Sequence, residues 1–144
     1  MAEIIYYYYG APAAPTAARI RWLQRGDLQS FNHHLFLCEQ NPLDAKTWDS
    51  IYNEGTMYCL LFVDNLPVAR ACVEKYSETM WEVADVRVVK AYRNNGFAGE
   101  VSRYVTNYIV SHGKTATIRT EEDNFPMQRV IVRLGFRPFA NPCC

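Results

Sequence analysis

The hydrophobic positions of this chain change period several times, and the order of those periods predicts its elements. Residues 3–9 run from Glu3 through Ile4 and Ile5 into Tyr6, Tyr7, Tyr8 and Tyr9, a composition that favours an extended backbone. They are expected to form an N-terminal strand or a subunit contact, which makes a homodimer an expectation. Ala11 to Pro15 cannot continue a hydrogen-bonded ladder and reads as a semi-rigid connector into a second short strand near Arg19 to Leu23. After Gly26, Asp27 is placed to cap a helix reaching about Cys38. Asp44 is placed to cap another reaching about Tyr52, which Gly55 stops.

From Thr56 the alternation returns. Residues 57–63 and 67–75 flank Asp64, Asn65 and Leu66 as a hairpin, and residues 80–89 follow as a third antiparallel strand. A helix then runs to about Ser111 with Phe97, Val101, Tyr104, Val105 and Tyr108 on one stripe. Residues 114–120 read as a strand and 137–139 as the start of a last one. Between them, Asn124 is a good N-cap, Pro126 suits a first turn, and Met127, Val130, Ile131 and Leu134 recur at helical spacing. Gly135 sits where a left-handed C-terminal residue belongs. The pattern predicts a three-layer α+β fold: a central mixed, mostly antiparallel sheet with helices on both faces.

Composition narrows the classes. At 144 residues the chain suits one domain, 1–144, with residues 1–16 as a strand-and-linker extension. Hydrophobic residues make up 49% and charged residues 21%, which excludes a disordered or fibrous class. The formal net charge is zero, so no generic nucleic-acid or anionic-membrane surface is announced. No apolar run approaches the ~20 residues of a membrane span and no signal peptide is visible, so a cytoplasmic location is expected. Of five cysteines, Cys38, Cys59 and Cys72 are isolated in apolar settings and read as core, while Cys143 and Cys144 read as terminal residues. His33 and His34 lack partners at metal spacing, so no metal is expected.

The candidate chemistry starts where the β-branched run Val86, Val88, Val89 passes through Arg93, Asn94, Asn95 and Gly96 into the helix of Phe97, Ala98 and Gly99. Backbone N–H groups at a helix start lack intrahelical partners, so a phosphate there gains hydrogen bonds and the positive end of the dipole. The motif Arg93-x-x-Gly96-x-Ala98 resembles the pyrophosphate-binding signature of the GCN5-related N-acetyltransferase (GNAT) superfamily. The stretch from Asn124 to Leu134, Gly135 and Phe136 resembles the second signature of that family. Together they carry the resemblance over residues 57–139.

The resemblance implies the acyl-CoA N-acyltransferase fold and an acetyl-CoA-dependent N-acetyltransferase, an enzyme that transfers groups other than amino-acyl groups. It implies acetyl-CoA as co-substrate and direct attack by a primary amine of a small molecule or protein. It further implies that backbone around Val86 and Val88 holds the pantetheine arm and thioester, that residues 94–99 and Arg93 hold the pyrophosphate, and that Asn124 touches the arm. Glu82 is the expected general base, sharing a face with Val86 and Val88 in an unbulged strand, and it stands where the histone-acetylating branch places its glutamate. Asp85 is the alternative if a bulge reverses the parity. Many members carry a proton-donating Tyr where this chain has Ile131, so Tyr76, Tyr104 or Tyr108, water or the ammonium itself has to serve, or the chain binds acyl-CoA as a non-catalytic regulatory module. Glu121, Glu122 and Asp123 read as either an acceptor-attracting stretch or a solvated loop, and His33, His34 and Trp48 as candidate walls of the acceptor site.

Overall fold

A computed structural model describes residues 2–10 and 19–139. The expected connector at Ala11 to Pro15 and the terminal Cys143 and Cys144 lie outside the described residues. The elements are β1 (Glu3–Tyr8), β2 (Ile20–Trp22), α1 (Leu28–Leu37), α2 (Ala45–Asn53), β3 (Met57–Val63), β4 (Leu66–Glu74), β5 (Met80–Val88), α3 (Phe97–Ser111), β6 (Thr115–Glu121), α4 (Phe125–Leu134) and β7 (Phe136–Pro138). Local chemistry accounts for their ends. Asp44 accepts from the Thr47 amide at 2.8 Å and caps α2, and Asp64 and Asn65 take φ of 49° and 66° in the tight β3–β4 turn. Asn124 caps α4 through the Met127 amide, and Gly135 closes that helix at φ 103°.

Seven strands form one sheet in the order β2-β3-β4-β5-β6-β1-β7, antiparallel throughout except for the β5–β6 pair. The mixed sheet of the sequence reading is therefore present. The tyrosine-rich β1 is an interior strand, paired with β6 on one side and, through Tyr6, Tyr7 and Tyr8, with β7 on the other.

Two cores flank the sheet. Val101, Val105 and Ile109 of α3 and Ile131 of α4 pack with Val73, Val83, Ile118 and Phe136 on one face. Phe31 and Leu35 of α1 and Trp48 of α2 pack with Tyr58, Leu60 and Cys72 on the other. Cys59 and Cys72 are buried, and burial pushes the Cys59 thiol up to about 12, in keeping with a packing role.

Candidate active site

Three local departures from regular structure meet along β5. The first is a bulge. The β4–β5 register passes from Arg70↔Arg87 to Cys72↔Ala84, so Ala71 faces both Asp85 and Val86, and Asp85 adopts φ 49°. The extra residue reverses the alternation. Val83, Val86 and Val88 all belong to the α3/α4 core, whereas Ala84 packs into the α1/α2 core and Asp85 reaches Tyr58 and Arg70 on that side. The expectation that Glu82 shares a face with Val86 and Val88 is corrected: Glu82 joins Ala84 and Asp85 on the α1/α2 side, because the bulge lies between them.

The second departure is a splay. β5 and β6 pair only from Met80↔Thr115 to Val83↔Ile118. Beyond that point they part around a cavity of about 300 Å³, lined by residues 82–86 of β5, 118–120 of β6, Glu3, and Asn124 and Met127 at the start of α4.

The third is the turn into α3. Asn94 and Gly96 take left-handed φ of 66° and 77°. The Asn95 side chain donates to the Tyr92 and Arg93 carbonyls, while Arg93 Nε donates to the Val88 carbonyl at 3.2 Å and braces the exposed turn. No side chain caps α3, and its first ladder bond runs from the Glu100 amide to the Gly96 carbonyl. The amides of Phe97, Ala98 and Gly99 therefore lack intrahelical acceptors. A Cβ at Gly96 would meet nothing within 4 Å, so the ground above these donors is open, whereas one at Gly99 would lie 3.8 Å from Val130 of α4. The arrangement suits an anion.

Charged side chains line the α1/α2 side of the splay. Glu82 is buried, and its Oε1 accepts from Arg119 Nε at 2.8 Å and from the Thr117 hydroxyl at 3.2 Å. Asp85 accepts from the Tyr58 hydroxyl at 2.6 Å and from Arg70 through Nε and Nη2, and Arg70 Nη1 donates to Gln40. Glu74 lies directly across the ladder from Glu82. Partial desolvation, with the Glu82 and Asp85 carboxylates behind it, holds the Glu74 carboxyl above its ordinary value.

Sequence reasoning named Glu82 and Asp85 and missed their partners. The available signal was Arg70, a charge inside the apolar run Val68, Ala69, Ala71, Cys72, which has to find a buried counter-charge.

Other candidates sort clearly. Ile131 is fully buried and supplies no proton. Tyr104 and Tyr108 pack against Trp22 on the α3 side, while the Tyr76 hydroxyl lies 2.9 Å from Thr117 Oγ1 on the Glu82 side. His34 and Trp48 are core rather than wall: the His34 ring bonds the Pro67 carbonyl at 2.8 Å, and Trp48 donates to the Arg25 carbonyl at 3.0 Å. Burial lowers the His34 pKa to about 4. Glu121 at the end of β6 and Glu122 and Asp123 in the turn before α4 are exposed, and Gln128 Nε2 donates to the Glu121 and Glu122 carbonyls.

A family model described as the acetyltransferase (GNAT) family matches residues 18–136. No curated protein matches the sequence. Among solved structures, an acetyltransferase of the GNAT family from Novosphingobium aromaticivorans DSM 12444 superposes with a TM-score of 0.77 at 20% identity, over 95% of this chain and 59% of its own. The ribosomal-protein-S18-alanine N-acetyltransferase from Escherichia coli gives 0.67 at 18% identity, over 84% of this chain and 78% of its own. AAC(6')-Iy in complex with the bisubstrate analog CoA-S-monomethyl-acetylneamine gives 0.67 at 19%, over 87% of this chain and 97% of its own. The chain spans between half and three fifths of the length of the first four such structures, from 52% to 59%. At these identities the likeness establishes the fold.

Proposed function

The chain belongs to the GNAT acetyltransferase family, and from that premise we propose that it transfers the acetyl group of acetyl-CoA to a primary amine by direct attack on the thioester. The observation that carries this reading is the pairing of a cavity between the splayed β5 and β6 with an open, uncapped helix start that follows β5 at Gly96. The α3 amides and Arg93 take the pyrophosphate, backbone around Val86 and Val88 and the Asn124 side chain border the pantetheine arm, and the thioester lies beside the bulge. An ammonium acceptor meets the carboxylates of the α1/α2 side, where Glu82 removes its proton and Asp85 serves chiefly as the fixed partner of Arg70 and Tyr58.

The test is release of free thiol from acetyl-CoA across a panel of primary amines. Turnover with one of them supports the reading. A second reading rests on the burial of Ile131, which takes away the familiar proton donor: a non-catalytic acyl-CoA-binding module. Stabilisation by CoA with no thiol release for any amine favours that module and overturns the enzyme.

A further inference from the structure

Acetylation of an ammonium releases a proton: the N–C bond forms, the C–S bond breaks, one nitrogen proton goes to a base and the second to the departing thiolate. The base has to lose its proton before the next cycle. On the acetyltransferase reading the cavity is then filled by acceptor and pantetheine, so the face of Glu82 that lines it is blocked. Glu82 Oε1 has two other neighbours. Arg119, at 2.8 Å, is a guanidinium that holds its protons and cannot carry another. Thr117 Oγ1, at 3.2 Å, is a hydroxyl that both donates and accepts, and 2.9 Å beyond it lies the phenol of Tyr76. Thr117 is fully buried, whereas Tyr76 is 47% exposed. Tyr76 comes from the β4–β5 connection and reaches across β5 to a β6 hydroxyl, linking the interior of the site to solvent at the end opposite the acetyl-CoA turn.

We propose that Thr117 and Tyr76 form the path by which the proton taken up by Glu82 leaves the closed site. In the resting state the Tyr76 hydroxyl donates to Thr117 and Thr117 donates to Glu82. Once Glu82 is protonated the two rotors turn: Glu82 donates to Thr117, Thr117 to Tyr76, and Tyr76 gives its own proton to water. The charged groups facing Glu82 are Arg119 of β6, Glu74 of β4 and Asp85 of β5, with Glu3 beyond Arg119. Thr117 and Tyr76 are thus positioning residues that act through Glu82.

Two measurements on the full chain test this. The first needs no acceptor: the titration of Glu82 by carbon-13 NMR with CoA bound. A hydroxyl that donates to a carboxylate stabilises its charged form, so Thr117→Val and Tyr76→Phe are each expected to raise the midpoint, with Tyr76→Phe adding nothing once Thr117 is Val. An unmoved midpoint in Tyr76→Phe overturns the connection.

The second uses thiol release with ethanolamine, spermidine, kanamycin and an alanyl peptide. With whichever turns over, Tyr76→Phe should lower kcat by up to about tenfold, the upper end of what one hydrogen bond between neutral groups is worth. CoA affinity should be unchanged, the solvent isotope effect should rise, and added imidazole should restore the rate. A loss that imidazole leaves unrepaired marks a structural role and overturns the path, as does a wild-type rate. If the wild-type chain turns over none of the amines, the acetyltransferase reading falls and takes the path with it, whereas an active wild type with an indifferent Tyr76→Phe sinks the path alone.

Discussion

At the scale of single residues, the site is a contest between Glu82 as an acceptor of protons and Glu82 as a counter-charge. Arg119 and Thr117 both hold Oε1, leaving Oε2 without a partner among the described residues on a side chain that lines the cavity. If this oxygen is the base, Glu82→Gln should lower turnover by roughly 10²–10⁴-fold while CoA still binds, and raising the pH should recover part of the loss, since the amine then arrives deprotonated. Steady-state rates across pH decide it, and a wild-type profile would reassign Glu82 to structure. His34 makes a different prediction. Its pKa falls from 6.5 in the unfolded chain to about 4, because the buried ring is held neutral while bonding Pro67. Between those values the unfolded state binds more protons, so this contribution is complete above pH 6.5 and is lost as pH falls toward 4. It amounts to about 3 kcal/mol. Urea unfolding should show His34→Leu losing less stability than wild type between pH 7 and 4; equal slopes would count against the assignment.

At the scale of elements, a helix and a strand each carry one decisive irregularity. The α3 helix begins on Gly96 at φ 77°, with no side chain to cap it and nothing within 4 Å of where a Cβ would stand. Gly96→Val should therefore do two separable things. It should cost the fold about 1–2 kcal/mol through the left-handed backbone, and it should weaken CoA binding far more than that strain explains, because the branched side chain shields the α3 amides. Calorimetry with CoA on the folded variant checks the second, and unchanged affinity would remove α3 from the phosphate site. In β5 the irregularity is the bulge at Asp85, which places Asp85 with Glu82 on the α1/α2 side and leaves Val86 and Val88 in the α3/α4 core. A strand read with period two is right on either side of such a bulge and wrong across it.

At the scale of the whole molecule, the two cores do different work. The α3/α4 core fixes the splay between β5 and β6, and the α1/α2 core carries the Tyr58 and Arg70 that hold Asp85. A ligand that bridges the α3 turn and the splay binds only the folded chain. At 100 times its dissociation constant it adds about 2.7 kcal/mol, which for a chain of this size raises the melting temperature by several degrees. Acetyl-CoA and CoA should both produce that shift, measured by calorimetry. A chain whose melting is indifferent to saturating CoA would lack the site altogether. Among the described residues no helix is long and apolar enough to cross a membrane.

What the sequence determined by itself is local. Helix caps at Asp44 and Asn124, left-handed closures at Gly55 and Gly135, the Asp64–Asn65 turn and the Gly96 helix start depend on the chemistry of a few adjacent residues, and each stands where that chemistry put it. That Ile131 stands where many members of the family carry a tyrosine was legible from the motif resemblance. Tertiary structure decided everything that needed two distant segments at once. The residues of β1 have strand propensity in any setting, but their insertion between β6 and β7 depends on which ladders have a vacant side. The arginine partners of Glu82 and Asp85 stand 37 and 15 positions away along the chain. The bulge arises from the register of β5 against β4, and a register belongs to a pair of strands, which no single stretch of sequence can specify alone.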